Sequence, residues 1–209
     1  MNRELIELND SLLIGVGGHK KVYRHPRNDA LCIKILLDGE DDPDWQKEMR
    51  YRRSREKRGL SSRLMTVYHG KIETSLGDGY VFERVIDFDG TSSKTMDEWI
   101  EAMRGELETD AGGLISMLIN LRDMMLSEEI ITYNMETENF MLQRVSKNEI
   151  LPRVIDNLGS ASHLPLAFFF SAIARKHIKK YWTRFSNDLS RIYPTIIDDE
   201  AVKKLTDWK

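Results

Sequence analysis

Leu31-Cys32-Ile33-Lys34-Ile35 reads as an apolar strand with an ammonium in its middle. Period-two alternation puts Cys32, Lys34 and Leu36 on one face, and Leu31, Ile33 and Ile35 on the other. A half-buried ammonium needs an anionic partner, so the fold must bring a carboxylate or a ligand's phosphate to this strand. Taken alone, the lysine could instead snorkel from an edge strand, which is common. Glu48 is the natural carboxylate, on a helix expected to follow, with Glu40 and Glu56 as rivals. Glu48 is preferred because Trp45, Met49 and the aliphatic part of Arg52 give that helix a packing face.

Three other groups fall into order around Lys34. Gly15-Val16-Gly17-Gly18 sits between two strand signals, where a hairpin tip is expected to use positive backbone angles and to approach a ligand closely. Many hairpins carry glycines without a ligand, so this signal gains weight only beside the lysine. Asn139 precedes the apolar run Phe140-Met141-Leu142, and Asp156 follows Val154-Ile155 and precedes Gly159. A hairpin between the two would bring amide and carboxylate together at its base, a donor pair suited to Mg²⁺ shared with phosphates. Singly, each is explained by an Asx-turn. Together they make a nucleoside triphosphate site, with glycines for phosphate approach, a lysine, its glutamate, and two oxygen ligands.

The strand signals are 12–15, 21–24, 30–37, 65–73 and 80–86, with a helix over 45–58 between the third and fourth. After Asp87-Phe88-Asp89-Gly90 the character changes. Helices are expected over 95–104, 114–129 and 166–192, with two short strands at 140–145 and 151–155. The expected architecture is α+β, a β-rich part over residues 1–90 and a mostly helical part over 91–209, sharing a cleft.

Composition narrows the function classes. A net charge of −3 gives no global argument for a nucleic-acid partner. The basic run Lys47, Arg50, Arg52, Arg53, Arg55, Lys57, Arg58 and Arg63 lacks interleaved stacking aromatics and reads as a solvated helix face. The single cysteine, Cys32, cannot form an intramolecular disulfide, which points to a reducing compartment. The first ten residues are charged rather than apolar, and the most apolar stretch, 164–174, is too short to span a bilayer. A cytoplasmic protein with no membrane partner is expected. His19, His25, His69, His163 and His177 show no metal-ligand spacing.

These residues resemble the protein-kinase-like fold. More narrowly, the chain is similar to the YrbL family of bacterial PhoP regulatory network proteins, through Cys32-Ile33-Lys34-Ile35, Tyr68-His69-Gly70, Gly79-Tyr80-Val81, Asp87-Phe88-Asp89-Gly90, Glu138-Asn139 and Asp156-Asn157-Leu158-Gly159. The resemblance implies a two-lobed fold with a reduced C-lobe, binding ATP and Mg²⁺. It implies that Gly15, Gly17 and Gly18 belong to the phosphate loop, with Lys20 where a third glycine would stand. Val22 and Cys32 would cover the adenine and Met141 would form its floor. The backbone from Glu83 to Val85 would read the adenine, Lys34 and Glu48 would form the phosphate-lysine pair, and Asn139 and Asp156 would hold the metal.

The departures bear on activity. Thr132-Tyr133-Asn134 stands where the family carries His-Arg-Asp, so an amide replaces the carboxylate that accepts the substrate proton. General-base help is typically worth about 10²–10⁴-fold, whereas positioning and electrostatics do most of phosphoryl transfer. Glu136 is a candidate displaced carboxylate. The expected function is a pseudokinase-type regulator that binds a nucleotide and is read by a protein or small-molecule partner. An atypical kinase and a scaffold without nucleotide, using the basic run for an acidic partner, are the alternatives.

Overall fold

The computed structural model describes residues 5–160 and 166–208. Its first half is an antiparallel sheet of β1 (Leu13–Val16), β2 (Lys20–Arg24), β3 (Leu31–Leu36), β4 (Tyr68–Thr74) and β5 (Gly77–Glu83), in the order β1-β2-β3-β5-β4. The alternation in β3 is realised: Ile33 and Ile35 pack with Ile6, Leu8, Leu12 and Tyr23 on one face. Cys32 and Leu36 pack on the other with Trp45, Met49, Tyr80 and Phe82. Lys34 therefore lies on the face covered by the following helix, in a strand hydrogen-bonded on both sides, and the edge-strand alternative falls away.

That helix, α1 (Pro43–Lys57), starts where Asp42 caps it, its carboxylate accepting from the Asp44 and Trp45 N–H groups at 2.7 and 3.2 Å. Pro43 suits the first turn because its missing N–H would have no helical partner there. Trp45 anchors α1 to the sheet through Tyr80, with ring centroids 4.3 Å apart. The basic run is the solvated face expected over most of its length, with Arg55 and Arg52 as exceptions. Arg55 is buried, with Nη1 donating to the Glu128 and Glu129 carbonyls at 2.8 and 3.2 Å. Arg52 binds Glu48, and the exposed charges are Arg50, Arg53, Lys57, Arg58 and Arg63.

Between β4 and β5 the sequence suggests a turn over 76–79, but β5 already begins at Gly77. A Cβ on Gly79 would come within 2.7 Å of Ile33 Cγ2 and 2.8 Å of Thr74 Cγ2, so this glycine serves close packing inside the sheet.

The second half places β6 (Lys94–Thr95), β7 (Phe140–Ser146) and β8 (Glu149–Val154) in a small sheet beside α2 (Met96–Ala102), α3 (Arg104–Thr109), α4 (Gly112–Ser127), α5 (Ser171–Ile192) and α6 (Asp199–Leu205). Leu114, Leu118, Leu121 and Met125 of α4 meet Ala174, Ile178, Trp182, Phe185 and Leu189 of α5 in one core. β6, α3 and α6 are short and fell below the sequence signal. Among the described residues no helix is long and apolar enough to cross a membrane. His163, and residues 164 and 165 of the apolar stretch, lie outside the described residues.

Candidate functional site

The β7–β8 hairpin brings its two ends together as the sequence suggests. The Ile155 N–H donates to the Asn139 carbonyl at 3.0 Å, which sets Asn139 and Asp156 side by side. Asn139 is buried, and its Nδ2 has no partner among the described residues. Asp156 opens the segment Asp156-Asn157-Leu158-Gly159, in which Asn157 takes a left-handed φ of 59°. That turn lets the Tyr133 N–H reach the Asn157 carbonyl at 3.2 Å and the Tyr133 hydroxyl donate to Asn157 Oδ1 at 2.8 Å. Gly159, at φ 110°, sits so close to α1 that a Cβ would lie 3.1 Å from the Lys47 carbonyl oxygen.

Two lysines from the first sheet reach this hairpin. Lys34 is buried, and its Nζ donates to the Ile155 carbonyl at 2.7 Å and lies 4.5 Å from the centre of the Phe82 ring. Burial pulls its pKa below the ordinary lysine value, against the opposing attraction of Asp156 and Glu48. Lys20 Nζ lies 2.5 Å from Asp156 Oδ1. Burial would raise the Asp156 carboxyl, but Lys34 and Lys20 outweigh it and hold the group below the usual carboxylate range. The two ammonium groups and the carboxylate thus meet at the base of the β7–β8 hairpin.

The pair expected between Lys34 and Glu48 is not formed. Arg52, one turn along the same helix, takes the Glu48 carboxylate at 2.7 Å and also donates to the Thr66 carbonyl at 2.7 Å. A same-helix partner four residues away is already in reach, and Lys34 turns to the Ile155 carbonyl instead. The Glu48–Arg52 spacing is visible in the sequence and is the signal that was missed.

The glycine loop is also corrected in detail. Gly15, Gly17 and Gly18 are not among the positive-φ glycines. What distinguishes them is open space, since a Cβ on Gly17 or Gly18 would meet nothing closer than 3.7 Å. Val22 is the cross-strand neighbour of Lys34 and packs with Cys32 on the α1 side of the sheet. Burial pushes the Cys32 thiol up. Met141 is half-buried on β7, opposite Arg153. Glu83 ends β5, where Arg153 holds its side chain at 2.6 Å, and the Val85 carbonyl accepts from the Ser93 N–H at 3.2 Å. Asn134 is exposed, at the edge of a cavity of about 510 Å³ that Glu136, Tyr181 and Arg184 also line.

Sequence reasoning missed two further residues. His177 of α5 reaches the Thr132 carbonyl at 3.1 Å and braces the segment that carries Asn134. His19, at the glycine tip, comes within 3.0 Å of Asp38 and 3.9 Å of Asp42, so one histidine does approach two carboxylates. Neither contact has a spacing signature, because each joins distant segments.

The PhoP regulatory network protein YrbL family matches residues 6–190. The chain belongs to that family. It is 32% identical over 188 residues to the uncharacterized protein YrbL of Escherichia coli strain K12, covering 87% of this chain and 86% of that one. The YrbL of Shigella flexneri matches with the same figures. Among solved structures, the Mycobacterium tuberculosis PknI kinase domain superposes with a TM-score of 0.55 at 14% identity, over 88% of this chain and 73% of the other. At that identity the likeness speaks for the fold, which is kinase-like.

Proposed function

We propose that this YrbL-family chain binds a nucleoside triphosphate between its β-rich and helical parts and acts as a pseudokinase-type regulator. The observation that carries the reading is the convergence of Lys34, Lys20 and Asp156 beneath the open glycine tip. The glycine tip would admit the phosphates, Lys34 would neutralise them, and Val22, Cys32 and Met141 would flank the base. Asn139 and Asp156 offer a buried amide and a carboxylate, oxygen donors that fit Mg²⁺, which would supply charge neutralisation on the phosphate oxygens. Asn134 can donate and accept hydrogen bonds but cannot take up the proton of an attacking hydroxyl.

The test is a thermal scan of the full chain with Mg-ATP. At hundredfold excess over the dissociation constant, linkage gives about 2.7 kcal/mol of stabilisation. For a chain of this size that is a Tm rise of about 5–10 °C. The rise should vanish in Lys34→Met, with no phosphate transferred by the wild type. An unmoved Tm at millimolar Mg-ATP would reject nucleotide binding.

A second reading, an atypical kinase, is favoured by the cavity beside Asn134, which could admit an acceptor next to Glu136. Labelled ATP with a cell extract tests it, and equal labelling by wild type and Asp156→Ala would end it.

A further inference from the structure

Lys20 is rooted where its position leaves little freedom. Its carbonyl accepts from the Gly17 N–H at 2.9 Å, closing the glycine tip, and its backbone pairs with Leu36 across β2 and β3. From there the side chain crosses to a residue 136 positions later, and its ammonium sits 2.5 Å from Asp156 Oδ1. Both side chains are about one-fifth exposed, so the contact is largely shielded from water.

Asp156 Oδ1 is thus already held by a cation of the chain itself, and it also accepts from the Asn157 N–H at 2.9 Å. A metal ion bound at ordinary distance to the same oxygen would have to displace the ammonium, because two cations cannot share that short contact. The same lysine closes the glycine tip through its backbone, and a Cβ on Gly17 or Gly18 would meet nothing closer than 3.7 Å. A lysine is also a recognised phosphate-binding point charge.

We propose that Lys20 is the resident cation of this site, so that the chain takes the phosphates of a nucleotide without requiring a divalent metal. The proposal rests on the nucleotide reading above and narrows it to the metal-free nucleotide as ligand. On binding, Lys20 swings from Asp156 to the phosphates, while Lys34 holds them from the strand side. Mg²⁺ then competes with Lys20 for Asp156 instead of being the entry ticket to the site.

ATP affinity is measured by calorimetry on the full chain, once with excess EDTA and once with Mg²⁺, for wild type, Lys20→Gln, Lys20→Arg and Lys34→Met. Wild type is expected to bind equally well in the two conditions, to within about threefold. Lys20→Gln should lose about tenfold or more in EDTA, the loss expected when a charge-assisted hydrogen bond is removed, and recover with Mg²⁺. Lys20→Arg should keep most of the metal-free binding. Circular dichroism melts on each variant separate a folding defect from a binding defect. If wild type binds ATP only with Mg²⁺ and Lys20→Gln behaves identically, this proposal is overturned while the nucleotide reading stands. No ATP binding under any condition would overturn both.

Discussion

The imidazole of His177 is stacked on Tyr181 at 4.4 Å and bonded through Nε2 to the Thr132 carbonyl. Burial lowers its pKa below the ordinary 6.5, with Lys180 adding to the effect and the Thr132 carbonyl opposing it. The unfolded chain therefore takes up this proton first as pH falls. The contribution of His177 to stability is complete above 6.5 and declines as pH drops from 6.5 toward the depressed folded value. Melting temperature against pH for wild type and His177→Gln should show the gap between them shrinking over that interval. A gap that does not change with pH would mean the ring acts only by packing. Residues of this kind are illegible in a sequence, since the partner is a backbone carbonyl 45 positions away. Lys34 was legible because a charge in an apolar period-two pattern is an anomaly that only burial with a partner resolves. The partner itself was misread, because Glu48 had a closer competitor in Arg52.

At the level of elements, the first sheet was the easiest part to read, since alternation and turn residues both mark its strands. The link between β4 and β5 was not, because glycines signal turns and tight packing alike. Gly79 separates the two meanings. Gly79→Ala would drive a methyl into Ile33 and Thr74 in the middle of the sheet, and is expected to cost about 1–3 kcal/mol as an overpacked core position. Urea unfolding should show the midpoint fall with an unchanged slope, and an unshifted midpoint would contradict the packing described. The short elements β6, α3 and α6 escaped notice for a different reason. Each buries too few side chains to set up a period, and α6 is announced only by Asp198, which accepts from the Ala201 N–H at 2.7 Å. The helices that could be read, α4 and α5, are those long enough to repeat an apolar stripe.

Across the whole molecule, polar side chains tie residues far apart in sequence. Asp87 is buried where the first sheet gives way to the second. Arg144 reaches it from β7 at 2.6 Å, and Ser93 donates to it at 2.5 Å. Burial would raise this carboxyl, but the Ser93 and Arg144 hydrogen bonds prevail and hold it below the ordinary 3.8. Its contribution is therefore present above 3.8 and is lost as pH falls through the lower folded value. Asp87→Asn should cost about 1 kcal/mol at neutral pH, the modest figure reflecting the exposure of Arg144 to water. That cost should shrink as pH falls below 3.8, which chemical unfolding at pH 7 and at a series of pH values below 3.8 would reveal. Gly159 carries a different kind of consequence. A methyl there would be crowded to 3.1 Å from the Lys47 carbonyl oxygen, so the segment bearing Asp156 is seated on the helix bearing Glu48 like a key on its ward. A shift of that helix would therefore press on the backbone two to three residues from Asp156, with no relay of side chains.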